Sequence, residues 1–285
     1  MPELPEVETI RRGIDRHLRG HRIVSVEGGG GRLVRNNPQG MVDLHAHLTN
    51  SQVTAVERRG KFMWMEFDEA DSALVIHLGM SGHVRILEES SDELGRHEHV
   101  RLTMDDGQRA SFIDPRMFGH LTISRLVEDA TGRLVPEVAR SIAPDPLEDA
   151  PLELWTTPML RTRRFIKTVL LDQTVISGIG NIYADEALFR AGINGLVRSD
   201  TMSPATATNV VEAARDVMTE AVAVGGTSFD ALYLNTDGDP GYFARSLQVY
   251  GREAEPCKRC GHPVERQVIN GRSHHFCAEC QTLPG

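Results

Sequence analysis

Several things are scarce in this sequence of 285 residues, and each scarcity excludes something. No apolar run approaches the roughly 18 residues that a membrane-spanning helix needs. The first residues, MPELPEVETIRR, carry acids from position 3 on. They lack the basic start and apolar stretch of a secretory signal, so a cytoplasmic protein is expected. There is no internal repeat and no low-complexity tract, which sets aside solenoids and disordered linkers. Positive charge is not in excess either: 31 Lys and Arg stand against 40 Asp and Glu, a net charge of −9. That balance argues against uniform attraction to nucleic acid, but binding depends on where basic groups cluster. Cysteine is absent before position 257.

The bases do cluster. Positions 161–167 hold Arg161, Arg163, Arg164 and Lys167 with no acid among them. Positions 256–275 hold Lys258, Arg259, Arg266 and Arg272 against Glu265 alone. The acids gather elsewhere, at 88–93 and 145–153, so a basic face on an acidic chain is expected.

Hydrophobic spacing divides the chain into three textures. Val7, Ile10, Ile14 and Leu18 recur at helical spacing, and Gly20 follows as a C-terminal stop, so a helix is expected over 3–19. Short runs separated by turns at 22–26, 52–58, 62–67, 73–77, 99–104 and 109–113 predict strands. The Asp-Asp-Gly at 105–107 predicts a hairpin between the last two. The fold expected is α+β and multidomain. It has an N-terminal β-sandwich or barrel with a leading helix over 1–136, a helical domain over 150–240 with helices at 152–171, 182–191 and 205–224, and a small cysteine-bearing domain over 247–285. The Pro-rich, acidic stretch 136–151 reads as the linker.

The four cysteines form two CxxC pairs, Cys257 with Cys260 and Cys277 with Cys280, sixteen residues apart. Each pair offers two thiolates from one tight turn, which suits tetrahedral zinc. One structural Zn²⁺ is expected; two disulfides are the alternative, disfavoured in a reducing compartment. A zinc hairpin alone does not specify DNA, and Arg272 within it fits a surface charge equally well.

The start Met1-Pro2-Glu3 has two readings. Removal of Met1 leaves Pro2 with a secondary amine of pKa about 7.7–8.0, partly unprotonated near neutrality and able to attack an aldehyde-like carbon. In the other reading Pro2 and Glu3 merely open a helix.

Several motifs together resolve this. The sequence resembles the bacterial formamidopyrimidine-DNA glycosylases through PELPEVETIRRG at 2–13, RRGKF at 58–62, HLGMSG at 77–82, DPRMFG at 114–119, SGIGNIYADEALF at 177–189, GGTSF at 225–229, GYF at 241–243, LQVYGREAEPC at 247–257 and the CxxC pairs. The resemblance implies a β-sandwich, a helix–two-turn–helix domain and a four-cysteine zinc finger. It implies a bifunctional glycosylase and AP lyase of base excision repair that removes oxidised purines, 8-oxoguanine and formamidopyrimidines, from duplex DNA by base flipping. The DNA partner it implies carries the lesion opposite cytosine, and the protein would act as a monomer. In the roles it implies, Pro2 is the nucleophile and Glu3 a proton donor or acceptor at the sugar. Lys61 and Arg272 are linked to β- and δ-elimination. Met80, Arg116 and Phe118 form the wedge that fills the space of the flipped base. Arg116 offers two donors to the O2 and N3 acceptors of an orphaned cytosine, whereas adenine mixes donor with acceptor. Phosphate contacts fall to His99, Asn181, Lys167 and Arg163, and 225–235 is the loop over the flipped base. Met117 stands where many relatives have arginine. The alternatives are an endonuclease VIII-like enzyme for oxidised pyrimidines, typically starting PEGPE where this chain has PELPE, and a non-catalytic DNA-binding member of the fold, which the presence of Pro2, Glu3 and Lys61 disfavours.

Overall fold

The computed structural model describes residues 2–68, 70–87, 94–227, 236–237 and 241–281. Contacts divide the chain into two units: Met1–Ser141 with Gly225–Tyr242, and Ile142–Val224 with Phe243–Gly285. Sequence reading put 225–240 with the helical region; its described residues group with the first unit.

In the first unit α1 spans Leu4–Leu18. Proline in its first turn is pre-set for helical φ and lacks an N–H that would go unpaired there. Leu4, Val7, Ile10, Ile14 and Leu18 line its buried face. Then follow β1 (Ile23–Glu27), α2 (Met41–Leu48), β2 (Val53–Arg59), β3 (Phe62–Phe67), β4 (Ser72–His77), β5 (His83–Leu87), β6 (Glu98–Met104), β7 (Arg109–Ile113), β8 (His120–Glu128) and β9 (Leu134–Pro136). The strands form two antiparallel sheets, ordered β1-β6-β7-β5 and β2-β3-β4-β8-β9. Inward residues of both, such as Val84, Val100 and Phe112 with Met63, Met65, Leu74 and Ile76, share one core with Val7, Ile10, Ile14 and Leu18 of α1. This is the expected sandwich with its leading helix. The 105–107 hairpin is present, closed by a Met104 N–H bond to Gln108 O with Gly107 at φ +88°. Sequence periodicity missed α2, β5, β8 and β9, which are short or, in β8, follow directly on the DPRMFG turn.

The second unit contains α3 (Glu153–Leu160), α4 (Ile166–Leu170), α5 (Asn181–Ala191), α6 (Pro204–Ala223), β10 (Glu265–Ile269) and β11 (Arg272–Phe276). The helix expected over 152–171 is two helices. Phe165 takes an extended conformation and bridges Arg198, so the chain turns between them. Buried Ala184, Ala187, Ala207, Ala214 and Ala221 let α5 and α6 approach closely. Ser203 caps α6 by accepting the Thr206 N–H at 3.1 Å. The stretch read as a linker is partly built in: Asp145 is fully buried, and Pro144 O accepts the Trp155 indole N–H at 2.7 Å. β10 and β11 meet through Asn270 and Gly271, both at positive φ, the residues that a two-residue hairpin favours.

Candidate active site and nucleic-acid interface

In the first unit the N-terminus is held by reciprocal hydrogen bonds. Glu3 caps α1: its backbone N–H donates to Glu6 Oε2 at 2.8 Å, and its own carboxylate accepts the Glu6 N–H. A carboxylate at this end of a helix is favoured by the unpaired N–H groups and the dipole. Glu6 is itself buried, and its other oxygen accepts the Thr227 N–H at 2.7 Å and hydroxyl at 3.0 Å. Gly226 permits this approach, since a Cβ there would lie 2.7 Å from Glu6 Oε1. Pro2 and Glu3 are thus buried at the start of a helix whose first turn is fixed.

Lys61 follows Gly60, which turns at φ +56° between β2 and β3. Arg59, on the other side of Gly60, is buried and ion-paired with Asp129. Beside Lys61 lies an aromatic group. The His77 and His120 rings stack at 5.0 Å and 15°, with Phe62 4.8 Å from His77. Burial pushes both imidazoles down to about 4; His120, Lys61 and Arg35 add to this at His77, and Arg35 at His120. The Gly79 N–H donates to His77 Nδ1 at 3.2 Å. A neutral ring that accepts at Nδ1 carries its proton on Nε2, so His77 offers a neutral donor next to a lysine.

The HLGMSG and DPRMFG motifs form two loops back to back. Asp114, fully buried, organises them: it accepts Ser81 Oγ–H at 2.5 Å, the Arg116 N–H at 3.2 Å and the Gly119 N–H at 2.8 Å. Gly79, at φ +61°, allows the contact, because a Cβ there would lie 2.4 Å from Gly119 N. The Arg116 guanidinium donates to Met80 O at 2.6 Å. The result brings Met80, 42 % exposed, Phe118, 50 % exposed, and the exposed Arg116 onto one protrusion. Two large apolar side chains left in water beside an arginine suit insertion into a base step.

In the second unit, Asn181 opens α5 and donates from Nδ2 to Ser273 Oγ at 3.0 Å. Asn181 Oδ1 and Ser177 Oγ are buried without a hydrogen-bond partner among the described residues. Arg272 is exposed at the start of β11, across from Ile269. The four cysteine sulfurs lie within 4.8 Å of one another and none is disulfide-bonded. Cys257 and Cys280 are 4.0 Å apart and Cys260 and Cys277 3.4 Å. Those spacings bracket the ~3.8 Å edge of a tetrahedron with Zn–S bonds of about 2.3 Å, so the thiolates fit one structural Zn²⁺.

Family models match three stretches: the formamidopyrimidine-DNA glycosylase N-terminal domain over residues 1–121, its H2TH domain over 142–232, and the zinc finger found in FPG and IleRS over 254–283. The formamidopyrimidine-DNA glycosylase of Nocardia farcinica is 45 % identical over 293 residues, covering 100 % of this chain and 99 % of that protein. The chain belongs to the formamidopyrimidine-DNA glycosylase family. Among solved structures of this family, the MutM (Fpg) protein of Thermus thermophilus is 35 % identical, with a TM-score of 0.81 and full coverage of both chains. A mutant of the Lactococcus lactis Fpg in complex with Fapy-dG-containing DNA is 29 % identical, with a TM-score of 0.84, covering 99 % of this chain and 100 % of that one. The wild-type Lactococcus lactis Fpg in complex with oxidised-pyrimidine DNA gives 29 % and 0.82 over the same spans.

Against the glycosylase expectations, the first unit holds Pro2, Glu3, Lys61, Met80, His99, Arg116 and Phe118, and the second holds Arg163, Asn181, Arg272 and the cysteines. His99 is half-buried, with Nε2 3.0 Å from Asp114 O. Arg163 is highly exposed, 3.8 Å from Asp200. Arg161 is exposed, and Arg164 is paired with Asp172 at 2.7 Å. Lys167 corrects the expectation of a phosphate contact. It is fully buried, its ammonium 2.6 Å from Asp185 Oδ1 and donating to Ser273 O. Of the loop over 225–235, residues 228–235 lie outside the described residues. Sequence reading missed His77, Glu6, Asp114 and Asp185. All four sit inside quoted motifs, but only the fold shows what they touch. No helix among the described residues is long and apolar enough to cross a membrane.

Proposed function

We propose that this chain is a bifunctional DNA glycosylase and AP lyase that removes 8-oxoguanine and formamidopyrimidines lying opposite cytosine in duplex DNA. It acts as a cytoplasmic monomer. The observation that carries the reading is the convergence of Met80, Arg116 and Phe118 on one protrusion, in the same unit as a buried Pro2–Glu3 start. The protrusion fills the gap that an extruded base leaves; the amine does chemistry on the extruded sugar.

Once Met1 is removed, the Pro2 nitrogen attacks C1′ and the base leaves with its bonding pair and a proton. Glu3 exchanges a proton with the opening ring. The resulting iminium draws electrons from the neighbouring C–H bond, so loss of a C2′ proton expels the 3′ phosphate. A second elimination, with loss of a C4′ proton, expels the 5′ phosphate; water then hydrolyses the iminium, freeing Pro2 and the sugar remnant and leaving a one-nucleotide gap. Lys61 and Arg272 stabilise the charge on the departing phosphates. An arginine, with pKa above 12, is a poor proton donor and a good counter-ion. His77, with its proton on Nε2, adds a neutral donor beside Lys61. Phosphates are held by His99, Asn181 and Arg163. The zinc keeps the finger folded and takes no part in these steps.

The experiment is borohydride trapping on an 8-oxoguanine:C duplex, with an oxidised-pyrimidine duplex alongside. A covalent adduct at residue 2 on the purine lesion is expected. An adduct at Lys61, or trapping confined to the pyrimidine duplex, overturns the reading. The second outcome favours the alternative of an enzyme for oxidised pyrimidines.

A further inference from the structure

The second unit contains a buried polar network that the chemistry above does not use. Its centre is Asp185, one turn along α5 from Asn181 and fully buried. Oδ1 accepts from Lys167 Nζ of α4 at 2.6 Å and faces His274 Nδ1 of β11 at 2.6 Å. Oδ2 accepts the His275 backbone N–H at 2.9 Å and faces its Nδ1 at 3.3 Å. The other nitrogen of His274, Nε2, accepts the Gly195 N–H at 3.2 Å, which leaves its proton on Nδ1, toward Asp185. Lys167 also donates to Ser273 O, and Ser273 Oγ accepts from Asn181. Every residue from 273 to 275 is therefore tied to α4 or α5, and Arg272 is the next residue along.

Burying an ammonium and a carboxylate is expensive, and apolar side chains would seat a hairpin on a helix at least as well. What an apolar contact does not supply is register. A one-residue slip of β11 would turn its side chains to the other face and break each of these bonds at once. We infer that Asp185 is a positioning residue, which fixes the finger strand against α5 so that Arg272 and Asn181 meet adjacent phosphates at a set separation. The inference rests on the reading of Arg272 and Asn181 as phosphate contacts.

The test is binding of the zinc-loaded full chain to a duplex carrying a tetrahydrofuran abasic analogue, for Asp185→Asn, Arg272→Ala, Asn181→Ala and the combinations. Zinc content and melting temperature are followed in parallel. Arg272→Ala and Asn181→Ala should each weaken binding by about tenfold, the scale of one charge-assisted hydrogen bond. Asp185→Asn should weaken binding by about tenfold while keeping its zinc, and should change nothing further in the Arg272→Ala/Asn181→Ala background, because residues acting through shared partners are not additive. A full tenfold loss in that background overturns the inference, as does unchanged binding by Asp185→Asn when the two single variants bind weakly. If neither Arg272→Ala nor Asn181→Ala weakens binding, the reading of the site fails and the inference with it. Should Asp185→Asn not fold, His274→Leu, which keeps the Lys167–Asp185 pair, is read by the same criteria with an expected loss of ~3-fold.

Discussion

Replacing Asp114 by alanine should disable base extrusion while sparing chemistry on a sugar that is already bare. Asp114 holds three donors: Ser81 Oγ–H, the Arg116 N–H and the Gly119 N–H. Alanine removes that acceptor from all three, and only the Arg116 N–H keeps a second one, Ser81 Oγ at 3.3 Å. Water reaches the region of the exposed Arg116, but Ser81 and Gly119 are buried. A buried donor left unpaired costs about 1–3 kcal/mol, so two of them at about 1.5 each destabilise the paired loops by about 3 kcal/mol. That corresponds to a roughly 100-fold shift in the equilibrium of the loops, away from the arrangement that presents Met80, Arg116 and Phe118 together. The assay is single-turnover cleavage of 8-oxoguanine:C and abasic:C duplexes. The first rate should fall by up to about 100-fold and the second by less than ~5-fold, since no intact base need be extruded from an abasic site. Equal losses on the two substrates would refute the reasoning, because Asp114 would then support Pro2 chemistry or the whole unit instead of the protrusion.

Arg116→Ala should narrow the preference for lesions opposite C over A, chiefly by lowering activity opposite C, as read from single-turnover rates on the two duplexes; an unchanged ratio would assign the opposite base to another residue. Cys277→Ser should lower metal content from about one zinc per chain and weaken DNA binding, while the β-sandwich, which holds none of the cysteines, still melts as in the parent. Acid should destabilise the first unit through its stacked imidazoles. His77 and His120 are held down to about 4 by burial and the nearby Lys61 and Arg35, against about 6.5 when unfolded, so the folded state binds fewer protons between those values. Their contribution is complete above about pH 6.5 and lost as pH falls toward 4. His120→Phe keeps a stacking ring and removes one titrating group, so its melting temperature should fall less between pH 7 and 5 than the parent's; an equal fall would place the acid sensitivity elsewhere.

The parts of the fold legible in the sequence are those where one residue's surroundings are set by its neighbours in the chain. The apolar stripe of α1 and the alternation of Ala110 and Phe112 with Arg109 and Ser111 in β7 follow from a single period, and the paired CxxC geometry follows from the chain locally, since each knuckle is one turn. Short elements escape this logic. β9 has three residues, and α2 keeps only Leu44 and Leu48 buried, too few to set a phase. The proposed wedge rests on resemblance, since Met80 and Phe118 taken singly look like core. Their exposure is a consequence of Asp114 and Gly79, residues that make no appeal to function when read alone.

Lys167 shows where charge counting fails. In the chain it closes a run with Arg161, Arg163 and Arg164, and like them it reads as a hand held out to phosphate. In the fold those arginines are exposed, two of them beside surface acids, but α4 begins at Ile166 and turns Lys167 inward with Ile166, Val169 and Leu170. A lysine among three apolar neighbours on a five-residue helix is a signal of burial, and a buried ammonium requires a buried acceptor. That acceptor, Asp185, lies eighteen residues along, in a motif whose polar residues invite a functional reading of their own. The sequence shows both partners and the apolar setting of each. It does not show that they meet, because their meeting depends on α4, α5 and a hairpin some ninety residues further on packing together. Basic residues near a nucleic-acid site therefore divide by their local apolar content before they divide by charge. Here the exposed arginines stand in water or beside surface acids, and the buried lysine is held by Asp185 and Ser273 O.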